Sequence, residues 1–136
     1  MRDEAGNSPR GMEKKKQLLL IEDEGYVISR VRDILAAFPQ FEITLAETGE
    51  EARRLMKESV FDAVITDIYV RGVSGLELLH YAKEKNKDVC VIIITGVDNA
   101  DLAAKALKEG AFDFVIKPPS LDRLTNIFKL LALVKI

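Results

Sequence analysis

The chain has 136 residues, enough for one domain with a buried core and too few for a second of similar size. Apolar residues make up 48% and charged residues 31%, a mixture that argues against a disordered chain. The formal net charge of −2 provides no overall positive field, and no apolar run reaches the roughly 20 residues of a membrane span, so we expect neither direct nucleic-acid binding nor a membrane anchor.

The first 16 residues differ in character from the rest of the chain. They are mostly polar, contain a Gly-Asn-Ser-Pro stretch at 6–9 and end in three lysines at 14–16. Such a composition lacks the apolar centre of a signal peptide and is typical of a solvated tail. We therefore predict a flexible leader over residues 1–16 and a single domain over residues 17–136.

Five short apolar runs predict the strands of a sheet. They lie at residues 18–21, 43–46, 63–66, 89–94 and 114–116. Four are nearly continuous, as in strands buried on both faces of a parallel sheet, whereas the mixed run at 43–46 predicts an edge strand. The fourth run contains the only cysteine, Cys90, for which we expect a buried, unpaired thiol in a reducing cytoplasm.

Amphipathic segments follow the apolar runs and predict five helices. Residues 48–51 and 74–77 have the Ser/Thr-x-x-Glu pattern of a capping box, and Gly110 is placed to end the fourth helix. The fifth helix follows Ser120, and its expected packing stripe is Leu121, Leu124, Phe128 and Leu131. Five strands alternating with five helices predict an α/β domain with right-handed crossovers.

Polar residues follow the predicted strands at the ends where functional groups of such sheets lie. Glu22 and Asp23 end the first strand, Asp67 the third, Thr95 the fourth and Lys117 the fifth. Carboxylates without histidine or cysteine favour a hard cation such as Mg²⁺. A carboxylate can also attack a phosphoryl group to give an aspartyl phosphate, with the lysine and threonine binding the phosphoryl oxygens.

This set of residues, in this order and on these strands, resembles the receiver domains of two-component response regulators. The resemblance covers about residues 17–131 and includes the segments 75–79 and 110–114. It implies a flavodoxin-like, doubly wound sheet of five parallel strands in the order 2-1-3-4-5, lying between two layers of helices.

The resemblance assigns a phosphorylation reaction and a switch. Asp67 would take a phosphoryl group from a histidine kinase or a histidine phosphotransfer protein, and Lys117 would pair with the phosphoryl oxygens. Thr95 and Phe114 would then move together and alter the face formed by the fourth helix, fifth strand and fifth helix. The family also implies a cis peptide bond between Lys117 and Pro118. Such a domain catalyses only its own phosphorylation and dephosphorylation and is not otherwise an enzyme.

The resemblance also implies a Mg²⁺ site. Asp23, Asp67 and the backbone carbonyl of Tyr69 would be direct ligands, and Glu22 would assist through water. Glu22 stands where aspartate is usual, and Arg71 stands where proline is common. Neither departure removes a reacting group, so we expect the site to be competent.

Other functional classes fit the sequence less well. A receiver-like interaction module that needs no phosphate would not require Asp67, Thr95 and Lys117 together. A hydrolase of the haloacid dehalogenase type places an Asp-x-Asp nucleophile after the first strand, whereas Glu22 and Asp23 are adjacent. A flavin-binding protein needs a phosphate-cradling loop at that position, where these acidic residues would repel phosphate.

The fifth helix carries more apolar residues than one packing stripe requires. The additional ones are Ile127, Leu130, Leu133, Val134 and Ile136. Exposed together, they would form a patch of the kind that marks a partner site, although a missing natural cover explains them equally well. We expect this helix to contribute to docking or to a homodimer formed through the fourth helix, fifth strand and fifth helix.

Overall fold

The computed structural model describes residues 15–96 and 99–134, which form a five-stranded parallel sheet between two helical layers. Its strands are β1 (Lys16–Ile21), β2 (Phe41–Ala46), β3 (Ala63–Asp67), β4 (Cys90–Thr95) and β5 (Asp113–Ile116). They pair in the order β2-β1-β3-β4-β5, and every pair is parallel. The predicted fold class and strand order are confirmed.

Five helices cover the two faces of the sheet. They are α1 (Gly25–Leu35), α2 (Gly49–Glu58), α3 (Gly75–Lys85), α4 (Ala100–Lys108) and α5 (Leu121–Leu133). Residues of α1 and α5 pack on one face with Leu18 and Leu20, and residues of α2, α3 and α4 pack on the other with Leu19 and Ile21. Successive residues of β1 from Leu18 to Ile21 are therefore all buried, which explains the continuous apolar runs. None of these helices combines the length and the apolar run that a bilayer crossing requires.

The two outer strands differ from the buried centre. β2 is an edge strand, as its mixed pattern predicts, and β5 forms the other edge. The apolar run of β5 predicted burial on both faces, but only Val115 is buried, while Phe114 is half-buried and Ile116 is exposed. That expectation is wrong because β5 has a neighbour on one side only. Cys90, in β4, is a buried free thiol, as expected.

Helix ends follow the sequence signals in most respects. Ser74 Oγ accepts from Glu77 N at 3.1 Å and the Glu77 carboxylate accepts from Ser74 N at 3.4 Å, which completes the predicted capping box of α3. The Thr48 hydroxyl likewise caps α2, but Glu51 accepts from the backbone N–H one residue before Thr48, so this second box is only half formed. Gly110 follows α4 with a φ of +112°.

The packing stripe of α5 is rotated from the predicted one. Its buried side chains are Leu124, Ile127, Phe128 and Leu131. The exposed leucines are Leu121 (53%), Leu130 (50%) and Leu133 (80%). The expectations that Leu121 packs and that Ile127 is exposed are therefore wrong, because packing against the sheet and α1 buries the side of α5 that carries Ile127. Val134 is half-buried against the core, and Ile136 lies outside the described residues.

The C-terminal end of α5 is closed by a residue from the start of β1. Lys16 Nζ donates to the backbone oxygens of Leu131 at 3.0 Å, Ala132 at 2.9 Å and Val134 at 2.6 Å. The last turn of α5 carries no basic residue, so this lysine supplies the missing cation at the negative end of the helix dipole. Residues 1–14 lie outside the described part of the chain, and the flexible leader stays a prediction, although its last residue already belongs to β1.

Candidate functional site

The side chains at the carboxyl ends of β1, β3 and β5 meet around one lysine. Lys117 Nζ donates to Asp67 Oδ2 at 2.6 Å, to Glu22 Oε2 at 3.3 Å and also to Glu24. Parallel pairing brings residues far apart in sequence to one edge of the sheet, and here it joins three of the predicted site residues, Glu22, Asp67 and Lys117. Glu24 was missed, although the acidic run Glu22-Asp23-Glu24 was its signal.

Glu22 is buried at the bottom of this group. Its Oε2 accepts from the backbone N–H of Glu24 at 3.2 Å, but its Oε1 has no hydrogen-bond partner among the residues that the structure describes. Burial raises the pKa of Glu22 to about 7; the charge of Lys117 opposes the rise and that of Asp67 adds to it. The site therefore holds a carboxylate that lacks sufficient positive charge around it.

Lys117 is the main source of positive charge in this group. Burial disfavours its ammonium form, but hydrogen bonds to Asp67 and Glu24 and the charge of Glu22 together raise the pKa of Lys117 above its ordinary value. Lys117 is consequently protonated throughout the physiological range. One ammonium facing three carboxylates leaves the cluster short of positive charge.

The carboxylates form an arrangement that suits a metal ion. One oxygen from each of Glu22, Glu24 and Asp67 lies within 4.8 Å of the others. The unpartnered Glu22 oxygen and the all-carboxylate donor set both suit a hard divalent cation. Asp23 is not part of this group, because its half-exposed side chain faces Arg71, with Nη2 and Oδ2 3.8 Å apart. Its role as a direct ligand stays a prediction.

The remaining predicted residues are Thr95, Tyr69 and Phe114. Thr95 is fully buried at the end of β4 and donates its hydroxyl to Gly96 O at 3.2 Å. Tyr69 is exposed, and its backbone N–H donates to Asp67 Oδ1 at 3.2 Å. Phe114 is half-buried in β5 and packs against the layer of α2, α3 and α4. The Lys117–Pro118 peptide bond is cis, as the resemblance implies.

A short hairpin that the sequence analysis did not predict follows Asp67. Residues 69–70 pair with 73–74 in an antiparallel ladder, and the turn between them contains Gly72 with a φ of +89°. Gly75 N donates to Ile68 O at 2.8 Å, and Gly49 N donates to Arg71 O at 3.0 Å. The hairpin is thereby held at the N-terminal ends of both α3 and α2.

Glu22→Gln should change how stability depends on pH. The pKa of Glu22 is raised from 4.5 to about 7, so the folded protein binds this proton more tightly than the unfolded chain does. The contribution of Glu22 to the free energy of unfolding is therefore full below pH 4.5 and is lost as pH rises through 7. Because glutamine does not titrate, the variant should gain stability relative to the unsubstituted protein between pH 5 and pH 8.

Urea unfolding in EDTA at these two pH values measures the effect. The exposed Glu42→Gln serves as a control, whose stability difference should vary little with pH. If Glu22→Gln changed the free energy of unfolding by the same amount at both pH values, the raised pKa of the buried Glu22 carboxyl would be contradicted.

Comparisons with known proteins point to one family. The sequence profile of the response regulator receiver domain matches residues 18–129. The chain is 34% identical over 112 residues to the response regulator protein PilR of Pseudomonas aeruginosa, covering 82% of this chain and 25% of PilR. It is 33% identical over 110 residues to the transcriptional regulatory protein CitT of Halalkalibacterium halodurans, covering 79% of this chain and 48% of CitT. The chain thus spans between a quarter and a half of the length of these relatives.

Solved structures show the same likeness over nearly their whole length. The receiver domain of NtrX from Brucella abortus superposes with a TM-score of 0.78 at 28% identity, covering 87% of this chain and 99% of that one. A response regulator receiver domain protein from Clostridium thermocellum gives a TM-score of 0.71 at 30% identity, covering 85% and 98%.

Proposed function

The chain belongs to the response regulator receiver domain family, and on that basis we propose that Asp67 is its phosphoryl acceptor. The observation that carries this proposal is the position of the Asp67 carboxylate at the carboxyl end of β3. There it accepts from Lys117 through Oδ2 and from the backbone N–H of Tyr69 through Oδ1. Both contacts fix the orientation of the carboxylate that would act as nucleophile.

The proposed reaction transfers a phosphoryl group from a phosphohistidine of a histidine kinase or histidine phosphotransfer protein. An Asp67 oxygen forms a bond to phosphorus, the phosphorus–nitrogen bond breaks, and its electron pair stays on the imidazole nitrogen. Lys117 and Thr95 would donate to the phosphoryl oxygens as charge develops there. We place this reaction in the cytoplasm, because the single buried thiol, Cys90, suits a reducing compartment.

Mg²⁺ is the cofactor that the carboxylate oxygens favour. When bound, it would neutralise the negative charges of these carboxylates and of the phosphoryl oxygens. Glu22, Glu24 and Asp67 are close enough together to hold it, and we propose that Asp23 and the backbone carbonyl of Tyr69 complete the set. When Mg²⁺ and the phosphoryl group are bound, Lys117 would move from the three carboxylates towards the phosphoryl oxygens.

Labelling with acetyl phosphate tests this function. Incubation with Mg²⁺ should add one phosphoryl group that is released by base, and EDTA should prevent the addition. Intact-mass measurement counts the groups. Complete absence of label in Mg²⁺ would contradict the proposal and favour a receiver-like interaction module that does not use phosphate.

We propose that phosphorylation controls the face formed by α4, β5 and α5. Movement of Thr95 towards the phosphoryl group would free space for the half-buried Phe114 of β5. The face already exposes apolar side chains at Leu107, Ile116 and Leu130. We propose it as the surface for a homodimer or for docking of an output partner.

Sedimentation with and without beryllofluoride, a phosphoryl mimic, should detect dimer formation. We expect beryllofluoride to favour the dimer, and Ile116→Asp to weaken association by about 10-fold or more, since a charge would be buried at the interface. Val60→Asp, at another exposed apolar residue between α2 and β3, is the control and should have little effect. A protein that stays monomeric in both states would leave only the docking version of this proposal.

A further inference from the structure

The hairpin after Asp67 projects an arginine over the acidic edge of the sheet. Arg71 lies in the two-residue turn of the hairpin, and its backbone oxygen accepts from Gly49 N at 3.0 Å. The base of the side chain is therefore fixed relative to α2. From this base the guanidinium crosses from the loop after β3 to the loop after β1, where Nη2 lies 3.8 Å from Asp23 Oδ2.

The cations at this edge are divided between two sets of carboxylates. Lys117 contacts Glu22, Glu24 and Asp67, whereas Asp23 faces Arg71. Within residues 15–96 and 99–134, Arg71 is the one cation within 4 Å of the Asp23 carboxylate. Four carboxylates thus face two cations, which leaves an excess of negative charge that a divalent ion could neutralise.

We propose that Arg71 is a displaceable counter-ion of Asp23, which competes with the divalent cation for this carboxylate and so sets the metal concentration that the site requires. The inference rests on the proposed function, because it takes Asp23 to be a metal ligand. Arg71 is a positioning residue here, since it acts through Asp23 and not on the phosphoryl group.

The character of the ion pair suits this role. A guanidinium stays charged throughout the physiological range, so the competition does not depend on protonation of Arg71. The side chain of Arg71 is 76% exposed, and exposed ion pairs contribute little to stability, so a bound cation can displace it. The same exposure makes the competition sensitive to salt, which screens exposed charges over about 10 Å at 0.1 M.

Arg71→Gln should therefore strengthen metal binding. We expect the dissociation constant for Mn²⁺ to fall about threefold or more at low ionic strength, and the difference to shrink as salt is added. Titration with Mn²⁺, followed by the electron paramagnetic resonance signal of the free ion, measures the constant directly in the unphosphorylated protein. Competition with Mg²⁺ extends the measurement to the expected ion.

Two sets of variants separate the specific pair from a general charge effect. Arg54→Gln removes another exposed arginine, which pairs with Glu58 at 3.4 Å, and should leave the dissociation constant unchanged. Asp23→Asn keeps an oxygen ligand but removes the charge that Arg71 faces. In that background Arg71→Gln should have no further effect, which makes the set a double-mutant cycle.

Each outcome decides the inference. Unchanged or weaker Mn²⁺ binding by Arg71→Gln would overturn the inference. The same gain in Mn²⁺ affinity from Arg71→Gln in the Asp23→Asn background would also overturn it. If the protein nevertheless takes label from acetyl phosphate in Mg²⁺, the proposed function stands and only the role of Arg71 fails. If the unsubstituted protein binds no divalent cation, the metal assignment and this inference fail together.

Discussion

Asp67→Asn is expected to leave no detectable phosphorylation by acetyl phosphate in the presence of Mg²⁺. An amide oxygen is too weak a nucleophile to form the acyl phosphate. Asparagine keeps an oxygen that can accept from Lys117 or from the backbone N–H of Tyr69. Intact-mass measurement over a time course, with and without Mg²⁺, gives the result.

The loss should not come from unfolding. Asp67→Asn removes one of three clustered carboxylates, so its unfolding temperature in EDTA should not fall appreciably below that of the unsubstituted protein. Asp88→Asn, at an exposed loop carboxylate, is the control and should be labelled normally. Undiminished label in Asp67→Asn would exclude Asp67 as the acceptor.

Gly75→Ala should have the largest effect on stability among small substitutions near the site. A Cβ at position 75 would lie 2.5 Å from the backbone oxygen of Asp67 and 2.9 Å from the Cα of Ile68. Both neighbours are backbone atoms and cannot yield by a change of rotamer. We expect a loss of about 1–3 kcal/mol in the free energy of unfolding, as in other overpacked sites. Labelling should also slow, because the clash pushes on the acceptor itself.

Gly25→Ala provides a matched control for this effect. Gly25 and Gly75 are each the first residue of a helix, but a Cβ at position 25 meets nothing within 4 Å. Alanine there should leave stability unchanged or raise it by up to about 1 kcal/mol, since glycine is unfavourable in helices. Urea unfolding of both variants compares them, and an equal effect would exclude steric contact as the cause.

Sequence patterns predicted the central parts of the fold better than its edges. The runs at 18–21, 63–66 and 89–94 are apolar at every residue but Thr66, because their strands are covered on both faces. The run around Val115 has the same apolar pattern, but β5 is an edge strand, so the pattern predicts more burial than the structure has. In α5, apolar residues are so frequent that several helical phases fit the sequence. Ile127 is buried in place of Leu121 because it joins the core cluster of residues from β1, β4 and α1.

The site was predictable where chemistry and strand ends coincide. Asp67, Lys117 and Glu22 were singled out for this reason, and the structure brings them into contact. Glu24 and Arg71 were not assigned a place in the cluster, because neither ends a strand. Glu24 joins it through the turn between β1 and α1, and Arg71 reaches Asp23 through a hairpin held by tertiary hydrogen bonds. Such contacts depend on loop geometry that local sequence patterns do not encode.

The contact of Lys16 with the end of α5 brings the start of the first strand and the end of the last helix together. The first strand starts and the last helix ends within the reach of one lysine side chain. Both lie at the amino edge of the sheet, about 20 Å from the acidic cluster at about 3.3 Å per strand residue. Domains with adjacent boundaries are suited to insertion into a host chain and to circular permutation, because the join does not strain the core. A neighbouring domain joined at either of these two points would therefore start at the edge of the sheet opposite to Asp67.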